Sequence, residues 1–147
     1  MLIRQSFATV AAEFGLTPQN CPAHPAFSAD ESLIHALDKP GVICLGGYFH
    51  GKIVGFAALV PLKRRVFELT RLCVAPEQRG SAFGNRLLDE ALRIAQEQAA
   101  RKITIGIIDA NESLKAWYLK RGFSEVGKKK FVHLPFVVCE MEWSAEE

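Results

Sequence analysis

The segment from residue 66 to residue 99 constrains the fold more than any other part of the chain. Residues 66–74 are rich in β-forming side chains, and Pro76 ends this run. A turn with two glycines follows. Beyond it, small or apolar residues recur at the spacing of one buried helical stripe, at positions 84, 87, 88, 91, 92, 95 and 99. The segment therefore predicts a buried strand, a glycine-containing turn and an amphipathic helix.

The turn has the composition of an anion-binding site. In the first turn of a helix the N–H groups have no partner within the helix, and the helix dipole adds positive potential there. Arg79 adds a fixed positive charge, and small side chains allow a ligand to approach this backbone closely. The small residues are Gly80, Ser81, Ala82 and Gly84. An ordinary tight turn is the alternative, and a glycine-rich turn alone does not exclude it.

Two other phosphate-binding signatures are missing from the sequence. No Lys-Ser or Lys-Thr pair follows the second glycine, which excludes a Walker-type loop. The dinucleotide fingerprint G-x-G-x-x-G is also missing, and the turn follows a strand in the middle of the chain rather than opening a βαβ unit. The turn therefore belongs to neither of these nucleotide-binding classes.

Composition favours one globular domain over residues 1–147, with 49% hydrophobic and 23% charged residues. The net charge of +2 is too small to indicate binding to nucleic acid or to an acidic membrane surface. No apolar run approaches ~20 residues, and the N-terminus lacks the layout of a signal peptide. We therefore expect a cytoplasmic protein without membrane segments.

The four cysteines form no C-x-x-C pair, which predicts reduced thiols. Cys44, Cys73 and Cys139 lie in apolar strand segments, where we expect them to be buried as small hydrophobic residues. A zinc site would need clustered Cys and His ligands, and the sequence contains no such cluster. No metal is therefore expected.

The remaining periodicity predicts a mixed α/β fold, with a central twisted sheet of about six or seven strands flanked by about four helices. The elements expected before the turn are a short strand at residues 2–4, a helix at 6–16, a proline-rich connection at 17–28, a helix at 28–39 and an antiparallel meander at 42–49, 52–59 and 66–74. The isolated Gly55 in this meander predicts the close approach of another backbone or of a ligand.

The elements after the turn predict a parallel pair of strands. Residues 102–108 form a buried strand, and a strand, a helix and a strand in this order imply a right-handed crossover. The glycine turn then lies at the C-terminal end of strand 66–74, where ligands bind in open α/β sheets. Asn111 starts the next helix as its N-cap, and residues 123–131 and 136–143 form two closing strands.

Residues 79–84 (Arg-Gly-Ser-Ala-Phe-Gly) resemble the acyl-CoA-binding signature Arg/Gln-x-x-Gly-x-Gly/Ala of the GNAT superfamily of N-acetyltransferases. Residues 111–123 are similar to a second signature of this superfamily, in which an Asn, an aromatic-Tyr pair and Gly-Phe recur at this spacing. The resemblance covers residues 42–143. One departure is visible, because Ala82 occupies the central glycine position and its methyl group narrows the approach to a pyrophosphate.

The resemblance implies that acetyl-CoA binds as the acyl donor in a V-shaped opening between the two central parallel strands. Main-chain groups of Leu72 and Val74 would then pair with the pantetheine amides, and Asn111 would hydrogen-bond the pantetheine arm. The pyrophosphate would be held by Arg79, Gly80, Ser81, Ala82, Phe83, Gly84 and Asn85.

Acetyl transfer needs a base, donors for the oxyanion and an acid for the leaving thiolate. Tyr118 matches the family tyrosine near the sulfur, which makes it the expected general acid; the alternative is a core aromatic on one stripe with Leu114 and Trp117. Glu68 matches the position that often supplies the general base, and it is a charged residue within an apolar strand. A salt bridge to a neighbour such as Arg71 is the alternative role for Glu68.

The sequence does not identify the acceptor amine. In this superfamily acceptor specificity resides in the N-terminal helices and the loop before the last strand, here residues 6–39 and 130–136. His24 and His133 lie in these segments and are the candidate acceptor-binding residues. Small amines, amino-acid derivatives, antibiotics and peptide N-termini all remain open, and family habit favours a homodimer.

Two classes of function fit these residues. The first is an enzyme that transfers an acetyl group from acetyl-CoA to a primary amine by direct attack in a ternary complex, which the combination of Asn111, Tyr118 and Glu68 favours. The second is a CoA-binding sensor or partner module of the same fold without turnover. Ala82 in place of glycine is the only support for the second class.

Overall fold

The computed structural model describes residues 2–20, 37–78 and 82–145, apart from the side chains at positions 4–6 and 10. Its six strands, β1 to β6, are Ile43–Phe49, Lys52–Pro61, Val66–Val74, Lys102–Ile108, Ser124–Lys130 and Val137–Ser144. The α-helices of this part of the chain, α1 to α3, are Leu2–Glu13, Phe83–Glu97 and Glu112–Lys120. Short 3-10 turns at Lys63–Arg65 and Pro76–Gln78 flank β3.

Some predicted features lie outside the described residues. They are His24, most of the helix expected at 28–39, and Arg79, Gly80 and Ser81 of the glycine turn. None of the helices that the structure does describe has the length and apolarity needed to cross a bilayer.

The six strands form one sheet in the order β1-β2-β3-β4-β6-β5. Only β3 and β4 run parallel, and the other neighbouring pairs are antiparallel. A right-handed crossover through α2 produces such a parallel pair. His50 and Gly51, both with left-handed φ angles (51° and 77°), close the two-residue turn between β1 and β2. The predicted mixed sheet is confirmed.

The strand predicted at residues 2–4 is wrong, because α1 already begins at Leu2. Ile3, Phe7 and Ala11 are spaced four residues apart and therefore share one face of the helix. This face covers the sheet, where Ile3 packs against Cys73 and Ala11 packs against the end of β4. A three-residue segment is too short to determine a strand by itself, so the gain from packing this longer helical stripe decides the structure.

α2 buries its predicted stripe against the opposite face of the sheet. Leu88, Ala91 and Ala95 are inaccessible to solvent, and the helix packs mainly on β2 and β3. Gly55 has a close neighbour, but it is a side chain rather than the predicted backbone or ligand, since a Cβ atom there would lie 2.7 Å from Leu87 Cδ1. Gly55 thus allows α2 to pack closely on β2.

β3 and β4 pair only near their N-terminal ends. The parallel register ends at Glu68 opposite Thr104, although both strands continue beyond this pair. A β-bulge follows in β3, where residues 70–73 lie opposite a shorter stretch of β2, and Arg71 takes a φ of 55°. Since a bulge bends its strand, β3 and β4 diverge beyond Glu68 and leave an opening.

The prediction of buried cysteines holds for Cys73 and Cys139, which are 7% and 0% exposed. Cys44, by contrast, is exposed. It lies on β1, which is an edge strand with an alternating pattern of half-buried and exposed side chains. The apolar sequence around Cys44 did not reveal on which side of this strand its thiol lies.

Candidate active site

A cleft of about 390 Å³ occupies the opening between β3 and β4. Its walls come from both strands, from α3 and its N-cap, and from Phe7 of α1 and Phe136 before β6. Four residues predicted to act in catalysis or donor binding line it, namely Glu68, Leu72, Asn111 and Tyr118. The structure therefore brings the predicted acid, the predicted base and two predicted pantetheine contacts to one cleft.

Tyr118 is both a core residue and a cleft residue. It is 5% exposed, and its ring makes edge contacts with Trp117 and Phe123 at centroid distances of 4.9 and 5.1 Å. Burial raises the pKa of its phenol well above the usual range, because the charged phenolate would lose its solvation. The two interpretations of Tyr118 are therefore compatible, and the phenol stays protonated at neutral pH as a general acid requires.

Asn111 is the predicted N-cap of α3 and is 9% exposed. Its Oδ1 accepts hydrogen bonds from Leu114 N and Ser113 Oγ, both at 3.3 Å. These bonds fix the side chain in one orientation at the wall of the cleft. No acceptor among the described residues binds Nδ2, so this amide group can donate to a ligand.

An ion-pair network fixes the start of α3 to the sheet, and the sequence interpretation missed it. Buried Lys115 donates to Asp109 Oδ1 at 2.7 Å, and Lys128 lies 3.3 Å from Asp109 Oδ2. The hydrogen bond to Lys115 lowers the pKa of Asp109 and raises that of Lys115. The detectable signal was a lysine on the same helical face as Asn111 and Tyr118, one turn from each.

This network also contains a group of possible metal ligands. The ligand atoms of Asp109, Glu125 and Cys139 lie within 4.8 Å of one another. Burial raises the pKa of the Cys139 thiol, which keeps it protonated. Lys115 and Lys128 each lie within 4 Å of both carboxylates and balance their charge.

The first turn of α2 carries the described part of the glycine motif. Ala82 is the N-cap and has a left-handed φ of 69°, a conformation that glycine adopts without strain. The first helical bond runs from Arg86 N to Ala82 O at 3.1 Å, so the N–H groups of Phe83, Gly84 and Asn85 precede it. Asn85 Oδ1 accepts a 2.8 Å hydrogen bond from Trp117 Nε1.

Two further contacts hold this first turn against the sheet. Phe83 packs edge-on against Phe49 of β1, with a centroid distance of 6.1 Å. Gly84 faces Trp117 and Val74, since a Cβ atom added at Gly84 would lie 3.6 Å from Trp117 Cζ2 and 3.9 Å from Val74 Cγ2. Val74, a predicted pantetheine contact, ends β3 next to this turn and is not among the residues that line the cleft.

Glu68 differs from the sequence expectation in one respect, since its side chain is exposed rather than buried in an apolar strand. It occupies the last register position before β3 and β4 separate. Among the described residues no cation lies within ion-pair distance of Glu68, so the alternative salt bridge to Arg71 is not formed. Its carboxylate is therefore available in the cleft.

A second cleft of about 260 Å³ meets the first at Glu68. Its walls include Glu140 and Glu142 of β6 and Phe131 after β5. His133 does not line either cleft; it is exposed and contacts the Phe131 ring at a centroid distance of 5.7 Å. Two connected compartments with Glu68 at their junction can hold two substrates side by side.

Comparison with known proteins finds N-acetyltransferases among the proteins that are similar to this chain. One curated relative, described as an uncharacterised N-acetyltransferase of Mycobacterium tuberculosis, is 29% identical over 131 residues, which cover 84% of each chain. The ribosomal-protein-S18-alanine N-acetyltransferase of Escherichia coli is similar in structure, with a TM-score of 0.73 and 16% identity over 88% of this chain and 83% of that one. An aminoglycoside 6′-N-acetyltransferase complexed with coenzyme A has a TM-score of 0.70 and 16% identity, over 97% and 89% of the two chains.

The sequence model of the acetyltransferase (GNAT) family matches residues 10–123, which is more than half of the chain. The protein is therefore an acetyltransferase with a mixed α/β fold. It belongs to the GNAT family.

Proposed function

We propose that the protein transfers the acetyl group of acetyl-CoA to a primary amine by direct attack in a ternary complex. The observation that carries this proposal is the position of Glu68 and Tyr118, which come from different elements and line one cleft where β3 and β4 separate. A proton acceptor and a proton donor on the walls of one cleft suit a reaction that deprotonates the nucleophile and protonates the leaving group.

Each proton has a defined origin and destination in this reaction. The amine nitrogen attacks the thioester carbonyl carbon, and Glu68 accepts the proton that the nitrogen loses, directly or through one water molecule. As the carbon–sulfur bond breaks, Tyr118 donates its phenolic proton to the departing sulfur. The products are the acetylated amine and the free thiol of CoA.

In this proposal the donor binds along the wall from β3 to α2. Main-chain groups of Leu72 and Val74 would pair with the pantetheine arm, and Asn111 Nδ2 would donate to it. The first-turn N–H groups of α2 would bind the pyrophosphate, together with the Arg79 side chain. This assignment rests on the first turn of α2, where the N–H groups of Phe83, Gly84 and Asn85 precede the first helical hydrogen bond.

The test is a calorimetric titration with acetyl-CoA, followed by measurement of thiol release with a panel of primary amines. Binding together with amine-dependent thiol release is the expected result. Absence of binding would overturn the proposal. The Ala82 methyl group favours a second candidate function, a CoA sensor, and binding without thiol release from any amine would support that alternative.

A further inference from the structure

Glu68 and Arg71 are the two charged side chains among the described residues that line the cleft. They lie three positions apart on β3 but form no ion pair with each other. The cleft therefore contains one anionic group and one cationic group that are both available to a ligand.

The hydrogen bonding and the backbone conformation of Arg71 indicate more strongly that the cleft binds a ligand. Its Nε is buried and has no hydrogen-bond partner, and it is the one such side-chain atom in the described part of the chain. Buried polar groups in proteins are nearly always hydrogen-bonded, and an unpaired guanidinium nitrogen is especially costly. Arg71 also has a left-handed backbone at 55°, and strain of this kind clusters at binding sites.

We propose that Arg71 binds the carboxylate of the acceptor, and that the acceptor is a free amino acid whose amine lies at Glu68. This inference rests on the proposed function and names its substrate class. A guanidinium matches a carboxylate through two parallel hydrogen bonds, whereas neutral amides of a pantetheine arm offer no such match. The anionic pyrophosphate is assigned to α2, which leaves Arg71 for the acceptor.

The bulge in β3 explains how both side chains reach one ligand. Residues three apart on a regular strand point to opposite faces of the sheet. The additional residue between positions 70 and 73 shifts this alternation, so that Glu68 and Arg71 both line the cleft. Their Cα atoms lie on the order of 10 Å apart along the strand, a span that two long side chains and a small zwitterion can fill.

The second cleft limits the side chain of such an acceptor. It meets the first cleft at Glu68, and Glu140, Glu142 and Phe131 line it. Lys102 and Lys129 pair with the two β6 carboxylates from outside the cleft, at 3.2 and 3.1 Å. The charged residues that line this cleft among the described residues are all carboxylates and its other walls are mainly apolar, so it disfavours an acidic side chain and we expect an apolar or basic one.

The experiment compares matched acceptors that differ in the carboxylate alone. Phenylalanine, phenylalaninamide and phenethylamine form one series, and lysine, lysinamide and cadaverine form a second. The kcat/KM for thiol release is measured with each at saturating acetyl-CoA. In at least one series we expect the amino acid to exceed both its amide and its decarboxylated analogue by at least about tenfold, the ratio that one charge-assisted contact produces.

Variants assign this preference to Arg71. In Arg71→Met the ratio between amino acid and amide should fall to about one, and in Arg71→Lys it should be intermediate because the charge remains but the planar fork is lost. Arg93→Met is the matched control, since Arg93 lies on the exposed side of α2 in ion pairs with Glu90 and Glu97. Arg93→Met should keep the full preference for the amino acid over its amide. Thermal unfolding and acetyl-CoA titration of each variant show whether it folds and binds the donor.

The outcomes separate this inference from the proposed function. Thiol release that favours amides or simple amines over amino acids would overturn the inference and leave the acetyltransferase function intact. If no acceptor releases thiol, calorimetry of phenylalanine and lysine against the protein–CoA complex provides the second measurement. Binding that Arg71→Met abolishes would still support the inference, whereas no binding of either amino acid would overturn it.

Discussion

Trp117 Nε1 donates a 2.8 Å hydrogen bond to Asn85 Oδ1 and thereby joins α3 to the first turn of α2. Trp117 precedes Tyr118, the proposed acid, and Asn85 belongs to the turn proposed to bind the pyrophosphate. Arg121 and Asp89 form a second link between the same helices at 3.6 Å. Direct contacts between α3 and α2 therefore join the proposed acid to the turn proposed to bind the pyrophosphate.

Replacement of Trp117 by Phe should weaken both stability and donor binding. The change leaves Asn85 Oδ1 without its partner in a partly buried position, which costs about 1–2 kcal/mol of unfolding free energy. If the bond also positions α2, the Kd for acetyl-CoA should rise by about fivefold, which corresponds to about 1 kcal/mol. Denaturant unfolding and calorimetric titration measure the two effects.

Arg121→Met is the control for this prediction, because it breaks the more exposed link between the same helices. Exposed ion pairs contribute little, so we expect a change of less than about 1 kcal/mol and an unaltered Kd. A Trp117→Phe variant that loses stability but keeps the Kd would show that the bond supports the fold alone.

Ala82→Gly should stabilise the protein and tighten acetyl-CoA binding. Ala82 has a φ of 69°, where a Cβ atom costs about 1–2 kcal/mol relative to glycine. The substitution removes this strain and also the methyl group that narrows the approach to the first-turn N–H groups. Unfolding free energy and the Kd for acetyl-CoA should both improve.

Ala99→Gly separates the two effects of this substitution. Ala99 also has a left-handed φ, 58°, but it lies beyond the other end of α2. We expect Ala99→Gly to raise stability by a similar amount and to leave the Kd for acetyl-CoA unchanged. Equal Kd values for Ala82→Gly and the native protein would contradict a role for Ala82 in donor binding.

The sequence predicted the features of this fold that depend on local pattern. The strand at residues 102–108 and the N-cap at Asn111 follow from periodicity and capping. The glycine turn at residues 79–81 is part of the same prediction and lies outside the described residues.

The features that the sequence did not predict depend on strand register and on distant partners. The sequence left a salt bridge between Glu68 and Arg71 open, and the structure shows that this ion pair is not formed. Lys115 was not singled out in the sequence, and its ion pair with Asp109 is evident only where the residue after β4 meets α3. Both outcomes depend on how separate elements pack together, which spacing along the chain does not determine by itself.

Tyr118→Phe should lower kcat by about two orders of magnitude or more, the usual contribution of a general acid. The Kd for acetyl-CoA and the stability should change little, because phenylalanine fills the same space between Trp117 and Phe123. Since burial raises the pKa of Tyr118, deprotonation of this acid should not reduce kcat of the native enzyme below about pH 10. Steady-state rates from pH 6 to 10 provide the measurement, and equal kcat values for the two proteins would exclude Tyr118 as the acid.

Lys115→Met should lower the melting temperature and reduce kcat/KM, because Lys115 fixes the start of α3 and with it Asn111 and Tyr118. Methionine retains most of the side-chain volume of lysine. The losses in melting temperature and in kcat/KM therefore measure the missing ion pair rather than a cavity. Lys128→Met is the control, since Lys128 is the more exposed partner of Asp109, and it should have the smaller effect.

The pH dependence of the difference in melting temperature between the native protein and Lys115→Met tests whether the ion pair causes this difference. The pKa of Asp109 is lowered in the folded protein, so its contribution is present above the ordinary carboxyl pKa of about 4 and is lost as the pH falls through the lowered value. The pKa of Lys115 is raised, so its contribution is present below about pH 10.4 and is lost as the pH rises through the raised value. The difference in melting temperature between the native protein and Lys115→Met should therefore be widest between these limits and should narrow toward both. A difference that is constant from pH 3 to 11 would assign the effect to packing, because packing of the Lys115 stem does not depend on protonation.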